Sequence, residues 1–406
     1  MRTRIGEKQC LALILVLAFF ARAATALAFQ FQPVSDYAGY EHMAVNLLAG
    51  RGLVEGGNSA FLSAGYPLFV LAPVFAVCGH HLPAALLANA VLCTVSGWLI
   101  YLIAKEAGAG RPGRLLSVGI YAIYLPSWIY AAYLAKENLM TPLMLGVVLL
   151  SLRCVRNPSA RLAVSVGAVL GLLAITGNAG LALTPMLVIA LAMSPLSVPE
   201  KLARLGLAGL VAVLVVAPWL MRNDQAVGAP VLNTNGGFNL YLGNNPAADG
   251  MFISIADTPR GATWQQLRKQ GEVAANNTLK AEALAWIRQN PARFLTLSFK
   301  KAALFWIPPM HEGEGPQSKG EALTRLAWLA QYLLICGAAV AGMAYRRLRT
   351  TNTGLIWLAI LCYTAVHMIF YVIYRYREPI MPLLIILAAL VIDFLISDKK
   401  FATIAR

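Results

Sequence analysis

Charge is scarce in this chain: 13% of its 406 residues are Asp, Glu, Lys or Arg and 59% are hydrophobic, whereas a soluble domain carries roughly 25% charged residues. That excludes an ordinary soluble globular enzyme and points to an all-α polytopic membrane protein. Cysteine and histidine are sparse as well, at six and five. Cys10, Cys78, Cys93, Cys154, Cys336 and Cys362 lie in or beside apolar segments without any CxxC pair, so no disulfide or zinc framework is expected and they read as packing residues. Walker, GxSxG and HExxH motifs are absent, which removes the signatures of phosphoryl transfer from soluble nucleotides, serine hydrolysis and zinc catalysis. The stretch HEGEGP, from His311, sets acids beside a histidine without ligand spacing and reads as a solvated loop. No internal repeat and no low-complexity tract stands out.

What the chain does have is long apolar runs. Runs of roughly 16–22 residues start near positions 10, 83, 114, 138, 161, 179, 204, 326, 353 and 379, enough for a bilayer core of about 30 Å at about 1.5 Å per residue. About ten transmembrane helices in one domain, 1–406, are expected. The basic N-terminal stretch reads as a retained first span, because Arg22 interrupts the region where a signal peptide would be cleaved.

The formal net charge of +15 is accounted for by cytoplasmic loops, with no nucleic-acid partner. With the N-terminus inside, Arg2, Arg4 and Lys8 share the cytoplasm with Lys105/Arg111/Arg114, Arg153/Arg156/Arg161, Lys201/Arg204, Arg346/Arg347/Arg349 and Lys399/Lys400. Residues 29–82 and 221–325 then face outward. Tyr66–Gly79 would reach only about 21 Å as a helix, too short to span, and is expected to lie at the outer surface. The segment AEALAWIRQNPARFLTLSFKKAALFW predicts one or two interfacial helices broken at Pro291.

Three groups of residues carry possible chemistry. Asp36 and Glu137 each lie at the outer end of a predicted span among tyrosines, in SDYAGY and YAAYLAKENL. A carboxylate shielded by aromatics can act as a base, and a helix cap at Ser35-Asp36 explains the first equally well. Glu41 and His42 fall on other parts of the same predicted helix. Arg375 and Arg377, in YRYREP, can clamp a phosphate at headgroup depth or anchor the interface. Their outward position asks for an anionic partner. Pro218–Gly250 opens with Trp219 and Arg222 and continues rich in Asn and Gly, a composition that suits sugar hydroxyls and also suits turns.

In this order and spacing, DYAGYEHMAVNLLAGRGL, SAGYPLFVLAPVFAV, AKENLMTPL, PWLMRNDQAVGAPVLNTNGGFNLYLGNNPAADG and YRYREPIMPLL resemble the GT-C integral-membrane glycosyltransferases. Within that fold the resemblance is to the glycosyltransferase 39 group, relatives of protein O-mannosyltransferases and lipid A aminoarabinose transferases. It implies a polyprenyl-phosphate sugar donor, a lipid, glycan or protein acceptor, and inversion at the anomeric carbon, in a multi-pass protein of the bacterial inner membrane with its site facing the periplasm or exterior. It makes Asp36 the base and Glu137 the second acid. Arg375, Arg377, Arg222 and Lys136 become candidates for the donor phosphate, and Tyr37, Tyr40, Tyr66, Asn239, Asn244 and Asn245 for sugar or acceptor. No cofactor is required, and a divalent metal is left open. SAGYPLF lacks the lysine that aminoarabinose transferases carry before the proline, which argues against lipid A modification and leaves Lys136 or Arg51 as substitutes. A polymerase or ligase of the same fold using a polyprenyl-diphosphate glycan, or a transporter (flippase), stands as the alternative.

Overall fold

The computed structural model describes residues 6–29, 32–308 and 318–404, with side chains described as far as 397. HEGEGP at His311, Arg2 and Arg4, and the side chains of Lys399 and Lys400 lie outside the described residues.

Seventeen α-helices and no strands follow one another among the described residues. The first half holds α1 (Glu7–Ala28), α2 (Asp36–Leu48), α3 (Ala72–Cys78), α4 (Leu82–Glu106), α5 (Arg111–Ile123), α6 (Leu125–Ala131), α7 (Glu137–Arg156), α8 (Ala160–Thr176), α9 (Thr184–Ala192) and α10 (Val198–Val227). The second half holds α11 (Gly236–Gly243), α12 (Trp264–Arg268), α13 (Glu272–Gln289), α14 (Pro291–Trp306), α15 (Lys319–Gly342), α16 (Thr351–His367) and α17 (Met381–Ile404).

A helix stands at each of the ten predicted spans, but six are long and apolar enough to cross a membrane by themselves: α1, α4, α7, α10, α15, and Tyr374–Ser397, which includes the start of α17. The others are shorter pieces. The span expected near residue 114 breaks at Tyr124, between α5 and α6. Pro126 sits at the start of α6, and its ring would clash with the Ala122 carbonyl in a continuous helix. The carbonyls freed by this break are then used. Arg22 donates to Tyr121 O at 2.7 Å, Trp128 Nε1 to Ala122 O at 2.6 Å and Gln331 Nε2 to Ile123 O at 2.8 Å. Both terminal nitrogens of a buried arginine in the first span thereby find hydrogen-bond partners, while its Nε has none.

The last span is the centre of the bundle. About 72% of its apolar window is buried, against 11% for α10, whose leucines and valines face outward where lipid is the solvent. α15 and α5 pack most extensively against α17 with α4 beside them; α4, α7 and α8 pack in succession, and α1 lies against α4 and α5.

Tyr66–Gly79 forms a π-helical turn, Pro67–Leu71, running into α3, and packs against α2. The helices expected at the interface are α13 and α14, parted at Asn290 with Pro291 opening the second helix. α10 runs past the expected boundary at 221 to Val227, where Gly228 in the left-handed conformation, φ 73°, stops it. Cys93 and Cys154 are buried, but Cys78 is exposed at the end of α3 and so is not a packing residue.

The basic connections gather at one end of the bundle. There Arg114 pairs with Glu7 at 3.2 Å and Arg153 with Glu106 at 3.0 Å, and Asp393 accepts the amides of Gly110 and Gly113 at the start of α5.

Candidate active site

Asp36 is the first residue of α2, not its cap. Ser35 before it, at φ 52°, is the one described non-glycine residue with positive φ, a conformation that costs of order 1–3 kcal/mol and is typically held at functional sites. That strained turn aims the new helix so that Asp36 sits in its first turn, where the helix dipole favours a carboxylate. Glu137 likewise opens α7. The turn in front of it is pinned by two buried amides. Asn89 Nδ2 donates to Ala131 O at 3.2 Å and Tyr133 O at 2.9 Å, while Asn138 Nδ2 reaches the carbonyls of Tyr130, Tyr133 and Ala135.

Arg375 comes from the turn Tyr374–Ile380, after α16 has ended. The long segment between α10 and α15 fixes the connection. Asn244 Nδ2 and Lys301 Nζ both donate to Ile369 O, at 2.7 and 3.3 Å, and the Val372 amide donates to Gly250 O at 3.0 Å. A Cβ at Gly243 would meet the Phe370 carbonyl carbon at 2.6 Å, so only glycine lets α11 approach this closely.

The result is one guanidinium shared by two acids. Arg375 Nη2 donates to Asp36 Oδ2 at 2.7 Å, and Nε lies 3.2 Å from Glu137 Oε1, an ion pair whose angle falls short of a hydrogen bond. The Tyr37 ring lies under the guanidinium at 5.2 Å. Side-chain exposure falls from 38% at Asp36 through 16% at Arg375 to 5% at Glu137, so the group runs from the surface inward. Glu137 Oε2 is buried without a partner.

A cavity of about 350 Å³ opens beside Glu137, lined also by Lys136, Asn239, Tyr371 and Tyr376. Lys136 makes no ion pair among the described residues, which leaves its ammonium available to an anion in that cavity. Among the described residues no three His, Cys, Asp or Glu side chains gather as metal ligands would.

Several expected contacts lie elsewhere. Arg377 is fully buried and points inward, donating to Phe305 O and Ile307 O at the end of α14, so it does not join Arg375. Arg222 lies over Trp219 and donates to the Leu53 and Ser59 carbonyls, tying α10 to the first outer loop. Asn244 and Asn245 are completely buried, with amides committed to nearby carbonyls, so neither faces a sugar. Tyr40 and Tyr66 are buried edge to face, with Tyr66 OH on Asn89 Oδ1 at 2.8 Å, and they support the site without lining it. Burial also raises the Tyr40 hydroxyl well above its ordinary pKa, keeping it neutral. Tyr37 stays beside Arg375, stacked on Tyr133 at 5.1 Å. Glu41 and His42 pair with His80 and Glu55.

Four supporting residues go unnoticed in the sequence reading: Asn89, Asn138, Glu272 and Lys301. Glu272 accepts from the Ser59 and Ala60 amides and from Thr234 Oγ1, joining the two outer loops. For Asn89 there is a signal, a lone amide inside LPAALLANAVLC. Glu272 sits in a polar stretch and Lys301 beside a second lysine in an amphipathic one, where nothing marks either out.

The helical bundle with its charged group at one end has the fold of the GT-C membrane glycosyltransferases. Residues 66–221 match the family described as dolichyl-phosphate-mannose-protein mannosyltransferase, a stretch that includes Glu137 but neither Asp36 nor Arg375. The archaeal oligosaccharyltransferase AglB from Archaeoglobus fulgidus, solved with an inhibitory peptide and a dolichol-phosphate, superposes with a TM-score of 0.53 at 11% identity, over 94% of this chain and 50% of that one. The chain thus spans about half the length of AglB. ArnT from Cupriavidus metallidurans gives TM-scores of 0.46 in its apo state and 0.48 with undecaprenyl phosphate bound, both at 14% identity, over 93% and 94% of this chain and 77% of that one. Among curated proteins no sequence matches.

Proposed function

We propose that the protein transfers a sugar from a polyprenyl-phosphate-linked donor to an acceptor, with inversion at the anomeric carbon, at the outer face of the plasma membrane. The observation that carries this reading is Arg375 held between Asp36 and Glu137, with Glu137 lining a cavity that Lys136 also lines. The basic connections at the opposite end of the bundle favour an outward site.

Asp36, the more exposed acid, meets the acceptor. Its carboxylate takes the proton as the acceptor oxygen bonds to the anomeric carbon and the bond from that carbon to the phosphate oxygen breaks. The leaving phosphate gains a negative charge, which Lys136 and Arg375 stabilise. A guanidinium has five N–H donors, and the two acids engage only two of its nitrogens, so Arg375 can keep Asp36 aimed while it receives the phosphate. Glu137, almost wholly buried, fixes the arginine and balances its charge. The step needs no cofactor.

The test is purified protein given a polyprenyl-phosphate sugar of known anomeric configuration, with the product read by NMR. The opposite anomer is expected. A product that retains the donor configuration would overturn direct displacement by an acceptor activated at Asp36.

A further inference from the structure

A cavity of about 650 Å³ lies between the end of α15 and the start of α16, which the short turn Arg346–Leu348 connects. It belongs to the basic end of the bundle. Asn352 Nδ2, at the start of α16, donates to the Glu106 carbonyl beside the Arg153–Glu106 pair, and Val391 on the cavity floor stands two residues before Asp393. The space follows from packing. α15 lies along α17, and Gly342 lets it sit closely, since a Cβ there would meet Val391 Cγ2 at 2.6 Å. α16 packs instead against α9, α14 and the Asn178–Leu183 turn, and only lightly on α17. Two helices joined by a short connection thus diverge, and Leu387, Leu390 and Val391 of α17 form the floor of the gap.

The gap is apolar along its length and cationic at the connection. Ala339 from α15 and Trp357 from α16 supply walls, and the exposed Arg349 closes one end. Arg349 Nε donates to Met343 O at 2.7 Å, which anchors the side chain; its two terminal nitrogens have no partner among the described residues. Arg346 and Arg347 precede it, and the connection from Tyr345 to Thr350 contains no acid. No Asp or Glu lines the cavity. Glu7, Glu106 and Asp393, the acids described at this end, are committed to Arg114, to Arg153 and to the Gly110 and Gly113 amides.

We infer that this gap binds a membrane phospholipid of net negative charge, with one acyl chain lying between α15 and α16 and the phosphate on Arg349. The volume falls within the roughly 300–1,000 Å³ of small-molecule sites. α15 is a span whose apolar window is only 17% buried, so the gap beside it borders the bilayer. A guanidinium with free terminal nitrogens matches a phosphate through paired, charge-assisted hydrogen bonds, and basic pockets between membrane helices suit acidic headgroups. The first turn of α16, whose Thr350 and Thr353 also line the cavity, adds the positive end of its helix dipole to the same field. A soluble anion would have no use for the apolar floor, and an uncharged lipid none for the arginine.

Full-length protein, stripped of co-purifying lipid in detergent, is titrated with phosphatidylglycerol and phosphatidylethanolamine of the same acyl chains, and bound lipid is counted by native mass spectrometry. Phosphatidylglycerol is expected to fill one site about tenfold more tightly than phosphatidylethanolamine, the worth of one charge-assisted contact. Arg349→Gln should remove that preference. Gly354→Leu should weaken both lipids: a Cβ at Gly354 meets no atom within 4 Å, so the larger side chain fills the gap in place of the acyl chain. Leucine is also the better helix former, so this variant is expected to fold. Equal binding of the two lipids by the wild type, or unchanged affinity in either variant, would leave only the unspecific lipid shell of a membrane protein and overturn the inference. Inorganic phosphate competing as well as phosphatidylglycerol would reduce the gap to an anion site. Displacement of the Arg349-dependent lipid by an equal concentration of undecaprenyl phosphate would assign the gap to an isoprenoid lipid, and either result also overturns it.

Discussion

The two ends of the bundle use charge in opposite ways. At the basic end each arginine of an ion pair has its own acid, Arg114 with Glu7 and Arg153 with Glu106, all partly exposed, and Asp393 is satisfied by two amides. At the other end one arginine serves two acids, the inner acid is nearly dry, and a carboxylate oxygen is left without a partner. A polar atom buried without a partner costs about 1–3 kcal/mol. Such atoms occur at the basic end too, at Ser151 Oγ and Arg204 Nε, so the difference between the ends lies in the single arginine shared by two acids and in the dryness of the inner one. The basic end reads as closure, and the other end as the candidate site.

The sharpest way to break this contrast is Asp36→Asn. Asparagine keeps the shape of the side chain but cannot accept the acceptor proton, so transfer should fall by about 10²–10⁴-fold while binding of polyprenyl phosphate stays. The two are read by radiolabelled transfer and by titration with the lipid phosphate. Near-normal transfer would move the base to Glu137.

Next in size is Arg375→Met. Removing the shared cation leaves Glu137 buried and unpaired, which should destabilise the protein by about 3–5 kcal/mol. Adding Glu137→Gln removes the stranded charge and should recover most of the thermal stability without recovering transfer. Recovery of both would make Arg375 a structural residue, like those at the basic end.

A smaller effect concerns Lys301, which holds the connection to Arg375 by its bond to Ile369 O. Burial pulls its pKa down from the ordinary lysine value to about 8. Because the folded value lies below the unfolded one, the unfolded chain binds more protons between pH 8 and about 10.4, and stability should rise with pH across that window. Unfolding temperatures of the wild type and Lys301→Met at pH 7.5 and 9.5 check this. The variant should gain less on going to pH 9.5, and an equal change in both would remove Lys301 as the cause.

The least effect is expected at the basic end, where Arg153→Ala should cost no more than about 1 kcal/mol and leave transfer intact. A large loss of activity there would erase the distinction between the ends.

Much of the frame was legible in the sequence. The apolar runs fixed where ten helices stand, Pro291 parted α13 from α14, and the span that proved discontinuous carries its own cause in Pro126. Asp36 and Glu137 were visible because an acid beside tyrosines at the end of an apolar run is unusual. The arginines were not separable in the same way. Arg375 and Arg377 are two residues apart, yet the tight turn sends one to Asp36 and the other to the carbonyls closing α14. Asn244 and Asn245 suited a sugar by composition and are consumed by the backbone they hold. A side chain's type states what it can bond, and only its neighbours state what it does bond.

By itself, then, the sequence determined the membrane as solvent, where the helices stand and that two acids lie at the ends of apolar runs, because hydrophobic periodicity acts locally along the chain. Tertiary structure alone decided that Asp36, Glu137 and Arg375, separated by more than three hundred residues from first to last, form one group. The physical reason is that pairing of buried charge is set by which helix ends and loops pack together, and contacts made at such sequence separation leave no periodic mark on the residues that make them.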